Sequence, residues 1–316
     1  MTPSSSARPA AWDVVGIGCN SVDFVNLLPA VPQPQGPNAK MRIRKQIVSC
    51  GGQMTTAMAA CARLGLRAKY LGVTGTDENG RRLRATMAGY QVDMTDAVIR
   101  DAPNRFAVII LDESTGERIV LWDRDERLSL RPREIAPDVL GSARLIHVDD
   151  EDQEAATTAA RVAQSVGVQV TSDIDRLTER TEELVLAVSI PIFAEHVPLT
   201  LTGRKDPESA LRHLRRKHDG LLCVTLGHQG ALALDGDRAI HVPAFRINAV
   251  DTTGAGDVFR GGFIYGYLQG WPTEQVLRFA NAAAAVSCTR LGALAGVPEL
   301  TEVETMLAES QSTATP

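Results

Sequence analysis

Asp251-Thr252-Thr253-Gly254-Ala255-Gly256-Asp257, followed by Val258-Phe259-Arg260-Gly261-Gly262 and an apolar run to Gln269, constrains this chain more than any other stretch. It reads as a strand end, a glycine turn and a helix start. Glycines 254 and 256 remove side chains where the backbone turns tightly and an anion can come close. The free N–H groups of the new helix carry the positive end of its dipole, so the turn is built to receive an anion. Asp257 sets a carboxylate in the first turn of that helix. A general base and a stabiliser of an electrophile then occupy one short segment. The bland alternative for Asp257 is a helix-capping acid.

Around this stretch the chain is organised as a large α/β core. Patterns for strand and helix alternate from Val168 on: strand Val168–Thr171, helix Leu177–Val188, strand Ser189–Phe193, helix Asp206–Lys217 and strand Leu221–Thr225. Such alternation implies parallel strands with helices on both faces, hence one doubly wound domain although 316 residues would allow two. No segment reaches the roughly 18 uninterrupted apolar residues of a membrane span. Residues 1–11, rich in Ser, Pro and Ala, lack the apolar centre of a signal peptide and read as a loose tail, with a second tail at 311–316. The expectation is a single domain over 12–310 in a cytoplasmic protein without a membrane partner. A formal net charge of −5 argues against nucleic acid. Cys19, Cys50, Cys61, Cys223 and Cys288 have no C-x-x-C spacing, so buried reduced thiols are expected rather than zinc or disulfides. No G-x-x-x-x-G-K-[ST] occurs, which excludes a P-loop kinase.

Asp251 to Gly262 resembles the C-terminal signature of the ribokinase-like (PfkB) family of sugar kinases, D-T-x-G-A-G-D-x-F-x-G-G, and the resemblance extends from about Asp13 to about Pro298. Gly72-Val73-Thr74-Gly75-Thr76-Asp77-Glu78-Asn79-Gly80 matches the family's G-x-x-G-x-D-x-x-G and reads as a strand leaving the sheet into a capped helix. The resemblance implies a ribokinase-like fold, a doubly wound, mostly parallel sheet with helices on both faces and a small β lid. It also implies transfer of the γ-phosphoryl group of Mg-ATP to a primary hydroxyl of a sugar. Asp257 would be the general base, and the N–H groups of Gly254, Ala255 and Gly256 would stabilise the transferring group.

Lid strands are expected at about 22–28 and at 40–48, where basic and apolar residues alternate, with 105–122 as a further candidate. In the family such a lid is often the dimer contact, so a homodimer is expected. Asp23 occupies the place of the sugar-binding aspartate, and Gly51-Gly52 opens the helix of the first signature. Thr56 stands where the family usually has asparagine, a departure that removes an amide's donor and acceptor pair. With Cys288–Gly292 and Ala295–Pro298, it gives some likeness to the sulfofructose kinases. Thr225-Leu226-Gly227-His228-Gln229-Gly230 resembles the nucleotide-phosphate loop through Thr225, Gly227 and Gly230, and Asn281 lies on the helix that flanks adenine. Asp251, Thr253, Ser287, Arg290 and Gly292 correspond to a monovalent-cation loop for K⁺. At the family's N-x-x-E, Ala194 and Val197 replace both expected residues around Glu195, which is left as the candidate Mg²⁺ carboxylate.

Three further readings come from the residues themselves. Arg124 is a candidate for an anionic or polyhydroxy substrate, with a solvated surface arginine as its alternative. Asp149 opens a run of acids, Asp149-Asp150-Glu151-Asp152, at a strand's C-terminal end. Most of these acids are expected to serve a helix start, with Asp149 a candidate substrate contact. His147 is expected to be a core residue. Two other functions stay open: a sugar sensor that kept the fold and lost the chemistry, and a nucleoside kinase. Seven Phe, four Tyr and three Trp offer little for stacking a base.

Overall fold

The computed structural model describes residues 10–115 and 118–312. Within them the chain runs β1 (Trp12–Ile17), β2 (Ser21–Leu28), β3 (Lys45–Gly51), α1 (Gln53–Arg63), β4 (Ala68–Leu71), β5 (Val73–Gly75), α2 (Glu78–Gly89), β6 (Val98–Arg100), β7 (Phe106–Asp112) and β8 (Arg118–Asp123). It continues through α3 (Pro137–Gly141), β9 (Ala143–Asp149), α4 (Gln153–Ser165), β10 (Gln169–Asp173), α5 (Thr181–Ala187), β11 (Ile192–Ala194), α6 (His196–Thr202), α7 (Pro207–Leu214) and β12 (Leu222–Thr225). β13 (Ala231–Asp235), β14 (Arg238–Val242), α8 (Ala255–Leu268), α9 (Thr273–Ser287), α10 (Ala293–Gly296) and α11 (Leu300–Ser312) complete it.

The central strands lie in the order β10-β9-β1-β4, all parallel. Parallel bridges from Thr171 to Ile190 and from Ile174 to Phe193 carry the sheet on to β11-β12, after which β13 and β14 turn antiparallel. The alternation of β1 divides its side chains between two cores. Val15 and Ile17 pack with Ala155, Ala159, Leu184 and Leu211 of the helices on one face. Val14 packs on the other face with Met54, Met58, Val258 and Phe279. Parallel strands must be covered on both faces, so the near-continuous apolar strands are what this architecture requires. The ribokinase-like expectation is met.

A separate sheet, β3-β2-β7-β8, forms the lid. β3 and β8 run antiparallel to their neighbours and β2 lies parallel to β7. The expected strand at 22–28 is β2, but the expected strand at 40–48 is displaced. It begins at Lys45 and runs to Gly51: Lys45 pairs with Leu27 as the last rung, and Arg44 N donates the closing bond to Leu27 O at 2.9 Å. The candidate at 105–122 resolves into β7 and β8, with 116 and 117 outside the described residues. Beyond the lid, the strand expected at 189–193 shortens to β11, since Ser189 and Ile190 both donate to Val170 O before Pro191, which has no N–H. The helix expected at 177–188 starts only at Thr181, which first closes a turn with Thr178. The expected tails lie largely outside the described residues, although α11 extends past the boundary set at 310.

Helix α8 holds the signature stretch, and its paired glycines fix where it sits. A Cβ on Gly261 would come within 2.5 Å of Ala60 Cβ on α1, and one on Gly262 within 2.9 Å of Ala280 Cα on α9. The three helices therefore touch along their backbones. Overpacking such a contact costs about 1–3 kcal/mol. Gly261→Val is expected to lower unfolding stability by about that amount in urea titration, with the midpoint moving and the slope unchanged.

Candidate active site

Gly254 N-caps α8 in the left-handed conformation, with φ 76°, a geometry that glycine adopts without strain. The turn leaves the first N–H groups of α8 aimed outward, and Asp257 follows as the acid of the first turn. Asp251 holds the entry to this turn. One of its carboxylate oxygens accepts from Thr253 N at 2.8 Å and the other from Gly292 N at 2.9 Å. The loop before α8 and the loop before α10 are thereby tied together, and the segment expected to bind a monovalent cation does come together around Asp251, Thr253 and Gly292. Ser287 and Arg290 stand at its edge, with Ser287 Oγ donating to Ala284 O and Arg290 paired with Glu302.

The substrate candidates meet this turn from the opposite side. Asp23 on β2 is buried and accepts from Ser21 Oγ at 2.6 Å. Its other oxygen lies where a Cβ on Gly51 would fall, at 2.2 Å. Burial pushes the Asp23 carboxyl above its usual range, against the Ser21 hydrogen bond and Arg105. Gly52 N-caps α1, and one turn on, Thr56 Cγ2 lies 3.4 Å from where a Cβ on Gly254 would stand. Thr56 Oγ1 is buried without a hydrogen-bond partner among the described residues. Such a hydroxyl is costly unless a ligand or water completes it. Of the expected sugar residues, Thr56 thus stands directly beside the expected phosphoryl turn.

Several assignments change in the structure. Arg124 is neither a free substrate cation nor a solvated surface residue. It donates to Glu151 at 3.1 Å, to both oxygens of Asp152 and to Leu128 O. Arg105 and Arg176 grip the same Glu151. The acids after β9 are thus arginine partners more than helix-start residues, and Asp152, at the N-cap of α4, makes no side-chain cap. Asp150 accepts from the N–H groups of Asp175 and Arg176. Asp149 takes the N–H of Cys19 at 2.6 Å and of Glu151 at 3.1 Å, so its carboxylate braces the turn after β1. A cavity of about 740 Å³, lined by Arg131, Asp150, Glu151, Arg176, Arg180 and His196 among others, opens beside this network. Its lining includes neither Asp23 nor Asp257, so it is not where the reacting groups meet.

On the nucleotide side, β12 ends at Thr225, whose hydroxyl donates to Phe193 O at 3.2 Å. Gly227 and Gly230 both have positive φ, and space is open around Gly227. This bare backbone suits phosphate oxygens. Asn281 is buried and holds β14 in place, its amide donating to Val242 O and Pro243 O at 2.9 and 3.2 Å. Glu195 is exposed at the N-cap of α6, and among the described residues no group of His, Cys, Asp and Glu forms a metal cage. His147 is a core residue as expected, bonded to Thr171 and pushed down to about 3 by burial and Arg260. The five cysteines are free and buried.

Two residues behind Asp257 escaped the sequence reading. Arg260 is 3% exposed and lies 2.8 Å from Asp173 at the end of β10, itself 3% exposed. Burial and the charge of Asp173 push the Asp257 carboxyl well up, while Arg260 pulls it back. The available signal was an arginine inside an apolar helix, a residue seldom buried without a partner.

Comparison with known proteins follows this geometry. The model of the pfkB family carbohydrate kinases matches residues 20–300. The chain is 29% identical over 281 residues to the ATP-dependent ribose-1-phosphate kinase of Halopiger xanaduensis, covering 89% of this chain and 93% of that one. A solved structure of a candidate ribokinase from Agrobacterium tumefaciens superimposes with a TM-score of 0.89 at 26% identity, covering 95% of this chain and 99% of that one. A candidate ribokinase II from E. coli in complex with ATP and Mg²⁺ does so with a TM-score of 0.79 at 22% identity, covering 94% and 99%. No described helix is long and apolar enough to cross a membrane.

Burial moves Asp149 from 3.8 to about 7. Between those values the folded state keeps a proton that the unfolded chain has released, so this group's contribution favours folding below the window and is lost as pH rises through it. Relative to wild type, Asp149→Asn is expected to flatten the fall in stability between pH 3.8 and about 7 in denaturant titrations, by on the order of 1–4 kcal/mol across the window.

Proposed function

The chain belongs to the pfkB family of carbohydrate kinases, and from that premise we propose that it moves the γ-phosphoryl group of Mg-ATP to a primary hydroxyl of a sugar, with Asp257 as general base. It is an ATP-dependent carbohydrate kinase. The observation that carries the finer reading is the position of Asp257 in the first turn of α8, three residues after the left-handed Gly254, which itself lies beside Thr56.

Asp23 accepts hydrogen bonds from sugar hydroxyls, with Gly51 leaving room for its carboxylate and Gly52 letting α1 start against Asn20 and Ser21. Thr56 Oγ1 completes its bonding with the substrate. The acceptor hydroxyl then faces Asp257, which takes its proton as the new O–P bond forms. The N–H groups of Gly254, Ala255 and Gly256 hold the charge on the equatorial oxygens of the transferring group. Thr225, Gly227 and Gly230 hold the remaining phosphates. Glu195 would be the carboxylate that holds Mg²⁺, which when bound would neutralise charge on the ATP phosphates. Carbonyl oxygens of the loops joined by Asp251 would hold K⁺, a cation whose field tightens the turn.

Lid strand β8 supports a homodimer. It is the outer strand of its sheet, and Ile119, Val120, Leu121 and Trp122 are 39–55% exposed. An apolar, unpaired edge tends to find a partner.

Asp257→Asn is expected to lower kcat by roughly 10²–10⁴-fold, with KM for ATP and the circular-dichroism spectrum unchanged. The assay is ADP release across ketoses, aldoses, sugar phosphates and nucleosides, with K⁺ omission as a control. Wild-type turnover in this variant would remove Asp257 from the mechanism. The double variant Val120→Lys/Trp122→Lys is expected to sediment as a monomer where the wild type sediments as a dimer.

A further inference from the structure

The buried pair behind Asp257 has no role in the mechanism above. Apart from Asp257, Arg260 is the one charged residue in α8, and every neighbour from Val258 to Ile264 is buried. Its guanidinium folds back over the first turn. Nη1 donates to Gly256 O at 3.1 Å and would stand 2.9 Å from a Cβ on Gly256. The same group meets Asp173 at 2.8 Å, with both side chains 4% exposed. That contact is an ion pair without hydrogen-bond alignment. Asp173 Oδ1 and Arg260 Nε have no hydrogen-bond partner among the described residues.

An arginine buried this deeply and bonded this incompletely is a poor stabilising device. Desolvation of two charges often cancels their attraction. It is, however, an effective source of field, because a charge in a water-poor site acts strongly on its neighbours. Gly256, whose carbonyl the guanidinium holds, immediately precedes Asp257 in the first turn of α8. Three other charged groups act on that carboxyl: Asp173 at the end of β10, Asp175 just beyond it, and Asp149 at the end of β9. All are acids and all oppose its ionisation, whereas Arg260 alone favours it. The neutral His147 on β9 lies on the far side of Arg260 and adds no charge.

We propose that Arg260 and Asp173 are positioning residues for phosphoryl transfer: Arg260 is a buried cation that grips the first turn of α8 and favours the charged form of Asp257, and Asp173 is the carboxylate that tethers it. Arg260 supplies the charge that lets a base exist among three other acids. Asp173 fixes the guanidinium and limits the effect, so that Asp257 takes up a proton readily once the acceptor is deprotonated. This rests on Asp257 being the base.

Two readouts separate this inference from that reading: the pH profile of kcat/KM, and the titration of the Asp257 side chain in the free protein by carbon-13 NMR, assigned with Asp257→Asn. Arg260→Met is expected to move both midpoints upward by a pH unit or more, which lowers turnover on the acid limb about tenfold while KM for ATP stays near its wild-type value. Arg260→Lys restores most of the shift. Asp173→Asn moves the midpoints downward, since it removes a negative charge. If Arg260→Met fails to fold, Asp173→Asn and Arg260→Lys carry the test. Midpoints that stay at the wild-type value in folded Asp173→Asn or Arg260→Met overturn the inference. A wild-type protein that phosphorylates no acceptor overturns the kinase mechanism instead, and the NMR titration still decides the role of the pair.

Discussion

The seat of α8 is the constraint on which the rest of the molecule depends. Gly261 and Gly262 bring its backbone against α1 and α9 at distances that leave no room for a Cβ. Once the helix is fixed there, its N-terminus stands over the C-terminal edge of the sheet. The α1 end, with Gly52 and Thr56, is drawn to the same place because α1 packs on the same helix. The proposed phosphoryl turn and the proposed sugar residue Thr56 thus become neighbours through helix packing. Open parallel sheets tend to place ligands at this edge.

Charge is organised around that edge in two layers. The outer layer, Arg105, Arg124 and Arg176 with Asp150, Glu151 and Asp152, is closely balanced and ties the lid strands to the loops after β9 and β10. The inner layer is not balanced: Asp173 and Asp257 share the cation Arg260, and Asp149 adds a further acid that opposes the ionisation of Asp257. Burial pushes Asp173 to about 7, in keeping with a site that carries more acid than it can ionise at once. A reaction that brings in a proton and a phosphoryl group suits such a site, and a purely structural core would have little use for it.

What the sequence disclosed follows from where the signal was local. The glycine turn, Asp257 and the Gly51-Gly52 start could be read because each needs particular residues within a few positions. The parallel core could be read because fully buried strands are continuous apolar runs. Strand ends were harder: β3 starts at Lys45 because β2 ends opposite it, a partner that no local pattern reveals. Contacts with distant partners were hidden for the same reason. Arg124 meets acids 27 and 28 positions away, and Asn281 holds carbonyls 38 and 39 positions away. Arg260 lay inside the signature itself, yet its meaning came only from Asp173 on another element.

The central claim is that this cleft joins a phosphoryl donor to a sugar hydroxyl. Its most direct test is phosphorus NMR of a reaction of the wild-type protein with Mg-ATP and a panel of sugars. The account predicts acceptor-dependent appearance of ADP together with a new phosphomonoester signal coupled to a CH₂ group, the mark of a primary alcohol. ATP breakdown to inorganic phosphate that is indifferent to every sugar, or a phosphate on a ring hydroxyl, would contradict it.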